Sequence, residues 1–94
     1  MNKILLINRL NPQDYSGDKV KVFFLIGGMN LPSVENRLID LLNKLGIDTA
    51  KNAILKYNGV ELDINVQQIP SIVNILSSEK IAIYGIYQPY NPDL

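Results

Sequence analysis

Residues 20–46 read VKVFFLIGGMNLPSVENRLIDLLNKLG, and this stretch decides the fold. Val20 to Ile26 is rich in β-branched and aromatic residues. That composition predicts a strand buried on both faces at its centre. Gly27-Gly28 ends it. Pro32 suits the first turn of a helix, where its missing N–H removes no bond. Val34, Leu38, Leu41, Leu42 and Leu45 then recur at helical spacing as one continuous apolar stripe. Lys44 in the last turn and Gly46 just beyond it form a C-terminal stop. Strand, tight turn and amphipathic helix therefore follow one another without a linker.

The pattern extends in both directions. Ala53–Tyr57 and Val60–Ile64 flank Asn58-Gly59, the dipeptide best suited to a tight hairpin. The spacing predicts a type I′ turn with Gly59 at positive φ. Val60, Leu62 and Ile64 alternate with Glu61 and Asp63, giving one apolar and one wet face. A second helix is predicted from Val66 or Pro70 to Ser78, with Val66, Ile69, Val73 and Leu76 as its buried stripe. Asn65 and Gln68 have capping-box spacing. Ile81–Tyr87 reads as the last strand, and residues 88–94 as an extended, proline-marked tail. On the N-terminal side, Ile4–Ile7 reads as a short strand and Asn11–Asp18 as a loop.

The element order is thus β-βαββαβ. It predicts one α+β domain over residues 1–94, a ferredoxin-like βαββαβ sandwich with an added N-terminal strand. A β-grasp, ubiquitin-like fold shares the order and is the alternative. Val20–Ile26 and Ile81–Tyr87 are apolar enough to be placed in the sheet interior. The edges then fall to Ile4–Asn8 and to one arm of the hairpin.

Composition narrows the chemistry. The chain of 94 residues has no cysteine and no histidine. It has no disulfide, no thiolate nucleophile, no imidazole base and no Cys/His metal site. Its fold must therefore rest on burial, and 47% of residues are apolar. Nine basic side chains offset nine acidic ones, so the formal net charge is zero. Nucleic-acid binding, which needs a basic excess, is disfavoured. No apolar run approaches the ~20 residues of a membrane span, and Met1–Ile7 is too short for a signal-peptide core. These features predict a soluble, cytoplasmic protein with no membrane association.

Catalytic groupings are sparse. Asp14 and Asp18 share a loop, and Glu61 and Asp63 share a strand face, but neither pair matches a calcium loop. No serine has a histidine partner. Arg37 lies inside the first helix rather than in the loop before it, where an acylphosphatase would need it. The chain is expected not to be an enzyme, with no catalytic residue, no metal site and no cofactor.

The loop between strand and helix is the one place suited to a small ligand. Gly27, Gly28, Met29, Asn30 and Ser33 surround a helix N-terminus, where backbone N–H groups can cradle an anion. The segment Gly28-Met29-Asn30-Leu31-Pro32-Ser33-Val34-Glu35-Asn36-Arg37-Leu38, together with Ile69 to Gly85, resembles the heavy-metal-associated, copper-chaperone-like domains. That likeness covers Val20 to Tyr87. Leu31 and Val34 stand where the family has its two cysteines, so the resemblance implies the scaffold without the metal. Regulatory amino-acid-binding domains of the ACT type are similar to the same degree. Their ligand loop also joins the first strand to the first helix, which implies a small ligand at residues 27–33.

Surface chemistry suggests a protein partner. Tyr84, Tyr87 and Tyr90 cluster with prolines near the chain end, a composition suited to protein contacts. Ile4 and Leu6, on a strand guarded only by Lys3 and Arg9, complete a candidate interface of Ile4, Leu6, Tyr87 and Tyr90. The function expected is a small interaction or regulatory module, acting as a homodimer or a subunit. The alternatives are an ACT-like sensor binding at residues 27–33 and a ubiquitin-like module.

Overall fold

The structure, a computed structural model, describes residues 10–89. The N-terminal strand expected at Ile4–Ile7, the candidate interface residues Ile4, Leu6 and Tyr90, and most of the tail lie outside them. Strand β1 (Val20–Ile26) leads into helix α1 (Pro32–Lys44) and a one-turn helix α2 (Thr49–Asn52). Strands β2 (Ala53–Lys56) and β3 (Gly59–Ile64) follow. A 3-10 turn (Val66–Gln68) enters helix α3 (Ile69–Ser78), and β4 (Ile83–Tyr87) closes the order. The molecule is α+β. Among the described residues four strands form one sheet in the order β2-β3-β1-β4. Every pairing in it is antiparallel.

Burial explains why the layers stack as they do. Val22, Phe24 and Ile26 of β1 and Val60, Leu62 and Ile64 of β3 alternate onto one face. There they meet Leu38, Leu41 and Leu42 of α1 and Ile72 and Leu76 of α3 in a single core. A large apolar side chain moved fully out of water contributes about 1.5–3 kcal/mol. Among the described residues nine large side chains are fully enclosed, Phe24, Leu42 and Leu76 among them. Met29, Ile47 and Ile81 plug the ends of this layer.

Terminators act where the sequence places them. Gly46 takes φ +85° just past α1, a conformation open to glycine at little cost. The Asn65 N–H donates to Gln68 Oε1 at 2.9 Å, as the capping-box spacing implies. Asp48 caps α2, its carboxylate accepting from the Ala50 N–H at 3.1 Å.

Four expectations are corrected. The hairpin turn is Tyr57-Asn58, because Lys56 stands opposite Gly59. Gly59 is a strand residue and has no positive φ; the described glycines that do are Gly17, Gly28 and Gly46. Its bareness serves a close approach instead. A Cβ there would run into the Phe24 carbonyl oxygen and come within 2.7 Å of the Phe23 ring. Ile72, absent from the expected stripe, is fully enclosed; within α3 it stands three residues after Ile69 and four before Leu76, the spacing of one helix face. Finally, β4 begins at Ile83 rather than Ile81; among the described residues β1 is its one neighbour, and the edge expected at Ile4–Asn8 lies outside them.

Candidate functional site

The open side of β4 is built from the pairing register. Phe23 stands opposite both Glu61 and Tyr87, and Leu25 opposite Gly59 and Gly85. Directly opposed residues share a face, so Phe23, Leu25, Gly85 and Tyr87 lie on the face away from the helices. Lys21, Glu61, Asp63 and Ile54 share it by the same register. The Phe23 and Tyr87 rings meet at 5.3 Å between centroids, tilted by 49°, within the range of favourable aromatic pairs. Phe23 is buried beneath this contact, while Tyr87 stays 50% exposed.

A register shift opposite Leu25 and Ile26 leaves Tyr84 as the extra residue of β4. The bulge turns its ring outward, 73% exposed. Its Cε2 lies 2.8 Å from where a Cβ on Gly27 would sit. A Cβ on Gly27 would displace this exposed ring. Tyr84 and Tyr87 both reach solvent at the same edge strand, with no charged residue between Ile83 and Tyr87.

The loop 27–33 separates into unlike parts. Gly28 takes φ +80° and its carbonyl accepts from the Leu31 N–H at 2.9 Å, which makes the turn. Met29 is buried in the core and offers nothing to a ligand. Asn30 and Ser33 are exposed. Of the five candidates only Gly27 lines the neighbouring cleft of about 420 Å³, together with Val34, Arg37, Glu79 and Lys80. The structure does not gather the other four around that space.

Arg37 and Glu79 wall this cleft. Arg37 Nη2 donates to Glu79 Oε1 at 2.8 Å and to the Glu79 carbonyl at 2.9 Å. The guanidinium thus sits on the C-terminal end of α3, where the helix dipole favours a cation. Both side chains are about half exposed, so the pair is worth under about 1 kcal/mol. Lys80 follows at φ 63° and lets the chain turn back into β4. The Ser78 hydroxyl donates to the Ile75 carbonyl at 2.9 Å. The cleft holds fixed charges but no nucleophile–base pair.

A second, mostly apolar groove of about 320 Å³ lies between Leu10, Pro12, Val66, Ile69 and Ile86. Gln67 Nε2 fixes its rim by donating to the Pro12 and Asp14 carbonyls at 2.7 and 3.1 Å. In the adjoining loop the Ser16 hydroxyl donates to Asp14 at 2.7 Å, holding that carboxyl below its ordinary value. Among the described residues no three acidic side chains gather as a cation site, and no helix is long and apolar enough to cross a membrane. Compared with known proteins, the chain matches no family model, no curated sequence and no solved structure.

Proposed function

We propose that this chain is a non-enzymatic protein-interaction or regulatory module, working in the cytoplasm as a homodimer or a subunit, on a ferredoxin-like βαββαβ scaffold. The antiparallel order β2-β3-β1-β4, with β1 flanked by β3 and β4, supports that scaffold over a β-grasp. One observation carries the functional reading. Among the described residues β4 is an edge strand of five residues, none charged, and it carries the exposed rings of Tyr84 and Tyr87. Edge strands left to solvent are normally guarded by charge, proline or a bulge; β4 has the bulge at Tyr84 but no charge from Gly85 onward to Tyr87. An edge without a charge, beside exposed aromatics, is suited to holding another chain.

The test is the mass of the full chain in solution across a dilution series, with affinity capture from cells in parallel. Dimers that dissociate on dilution, or a stoichiometric partner lost on Tyr84→Lys, support the reading. A monomer at high micromolar concentration with no such partner removes it. The cleft beside Gly27 favours a second reading, a small-ligand sensor of the ACT kind. A thermal shift with an amino acid or nucleotide, abolished by Lys80→Ala, would decide for that reading.

A further inference from the structure

We infer that two copies of this chain pair antiparallel through β4, with Ile86 on the two-fold axis and Tyr87 of each copy lying over Gly85 of the other. The inference rests on the interaction-module reading and names the partner and its register.

Backbone direction sets the register. The Ile26 N–H donates to the Asn58 carbonyl at 2.9 Å, so the main-chain groups of Ile26 point toward β3. Along a strand these groups alternate sides. Those of Phe23 and Leu25 therefore point toward β4. Their opposite numbers Tyr87 and Gly85 point back toward β1. The N–H and C=O of Ile86, between them, face outward from the sheet. The bulge at Tyr84 interrupts regular pairing before Gly85. A two-fold partner thus finds its first regular outward pair at Ile86, each copy's Ile86 N–H donating to the other's Ile86 carbonyl.

Gly85 supplies the independent observation. Glycine weakens a strand interior and often marks a close approach by other groups. Here the fold itself does not demand it. Gly85 has no positive φ, and an added Cβ would touch only Leu25 side-chain atoms at 3.8 Å, an ordinary contact. With Ile86 facing its own copy, Gly85 stands directly opposite the partner's Tyr87, on the face both residues share. A ring opposite a bare glycine covers backbone that is otherwise wet, a pairing that stabilises edge glycines. The half-exposed Tyr87 ring gains that cover while keeping its contact with Phe23. No like charges meet, since residues 83–87 carry none and the chain's formal net charge is zero.

The absence of native cysteine allows a test of register. Gly85→Cys and Tyr87→Cys are prepared separately in the full chain, mixed in equal amounts and oxidised. Opposed residues of a non-hydrogen-bonded pair have Cα atoms about 4.5 Å apart, within disulfide reach. The mixture should give at least tenfold more disulfide-linked dimer than either variant alone. Gly85→Lys is the second variant, because the fold admits its Cβ. It should weaken the dimer at least tenfold, with an unchanged melt at concentrations dilute enough that both proteins are monomeric. Equal cross-linking in all three samples, or Gly85→Lys dimers of wild-type affinity, overturns the pairing. No cross-link with a dimeric wild type overturns this surface and leaves the module reading standing. A monomeric wild type, as when residues 4–7 cover β4 within one chain, removes the pairing and the homodimer together.

Discussion

Gly59→Ala should be the most damaging single-methyl addition in the sheet. The new Cβ would collide with the Phe24 carbonyl oxygen and lie 2.7 Å from the Phe23 ring. A carbonyl in the ladder cannot rotate away as a side-chain tip can. Either β3 retreats from β1 or Phe23 leaves its place under Tyr87. Overpacking of this kind costs about 1–3 kcal/mol, and a ladder hydrogen bond lost in the retreat adds about 1 kcal/mol. The expected loss is about 2–4 kcal/mol. For a domain of this size that lowers the melting temperature by roughly 10–25 °C. Gly85→Ala is the matched control, since its Cβ meets ordinary contacts at 3.8 Å, and it should change stability by less than about 1 kcal/mol. Thermal and urea melts of both variants decide the matter. Equal melting of Gly59→Ala and wild type would refute the close approach of β3 to β1.

Three further outcomes follow from the same structure. Leu42→Ala should cost about 2–5 kcal/mol in a denaturant melt, because Leu42 is fully enclosed between α1 and the sheet. Asp14, held low first by the Ser16 hydroxyl and then by the Ser16 N–H, should titrate by NMR below the ordinary 3.8. The loop bonds are then in place above that value and are lost as pH falls through the lowered midpoint, and Ser16→Ala should raise it. Copper and zinc should not be retained through gel filtration at micromolar concentration, since Leu31 and Val34 offer no soft ligand; stoichiometric metal would contradict this.

Sequence reading went furthest where the signal is local. The residues of β1, the start of α1 at Pro32, its stop at Gly46 and the Asn65–Gln68 cap all follow from neighbours a few positions apart. It failed where distant segments decide. Asn58-Gly59 has the composition of a type I′ turn, but the Asn58 carbonyl is taken by the Ile26 N–H. That bond draws Asn58 toward β1 and leaves Gly59 as the residue that lets the strands approach. Ile81–Tyr87 reads as one continuous strand, yet β4 starts only at Ile83, because the Ile81 N–H is still taken by the Leu76 carbonyl of α3 at 2.9 Å. The Arg37–Glu79 contact spans 42 residues, so no local pattern marks it. Of the loop candidates, Met29 misled because a methionine beside glycines reads the same whether it faces a ligand or fills a core.

Amide exchange at Ile86 tests the central claim most directly. Its N–H points away from β1, and among the described residues no strand lies on that side. Paired through β4, it should be protected at high protein concentration and lose that protection on dilution, while the Phe24 amide in the sheet centre should not change. Exchange at Ile86 that is the same at every concentration would contradict the account.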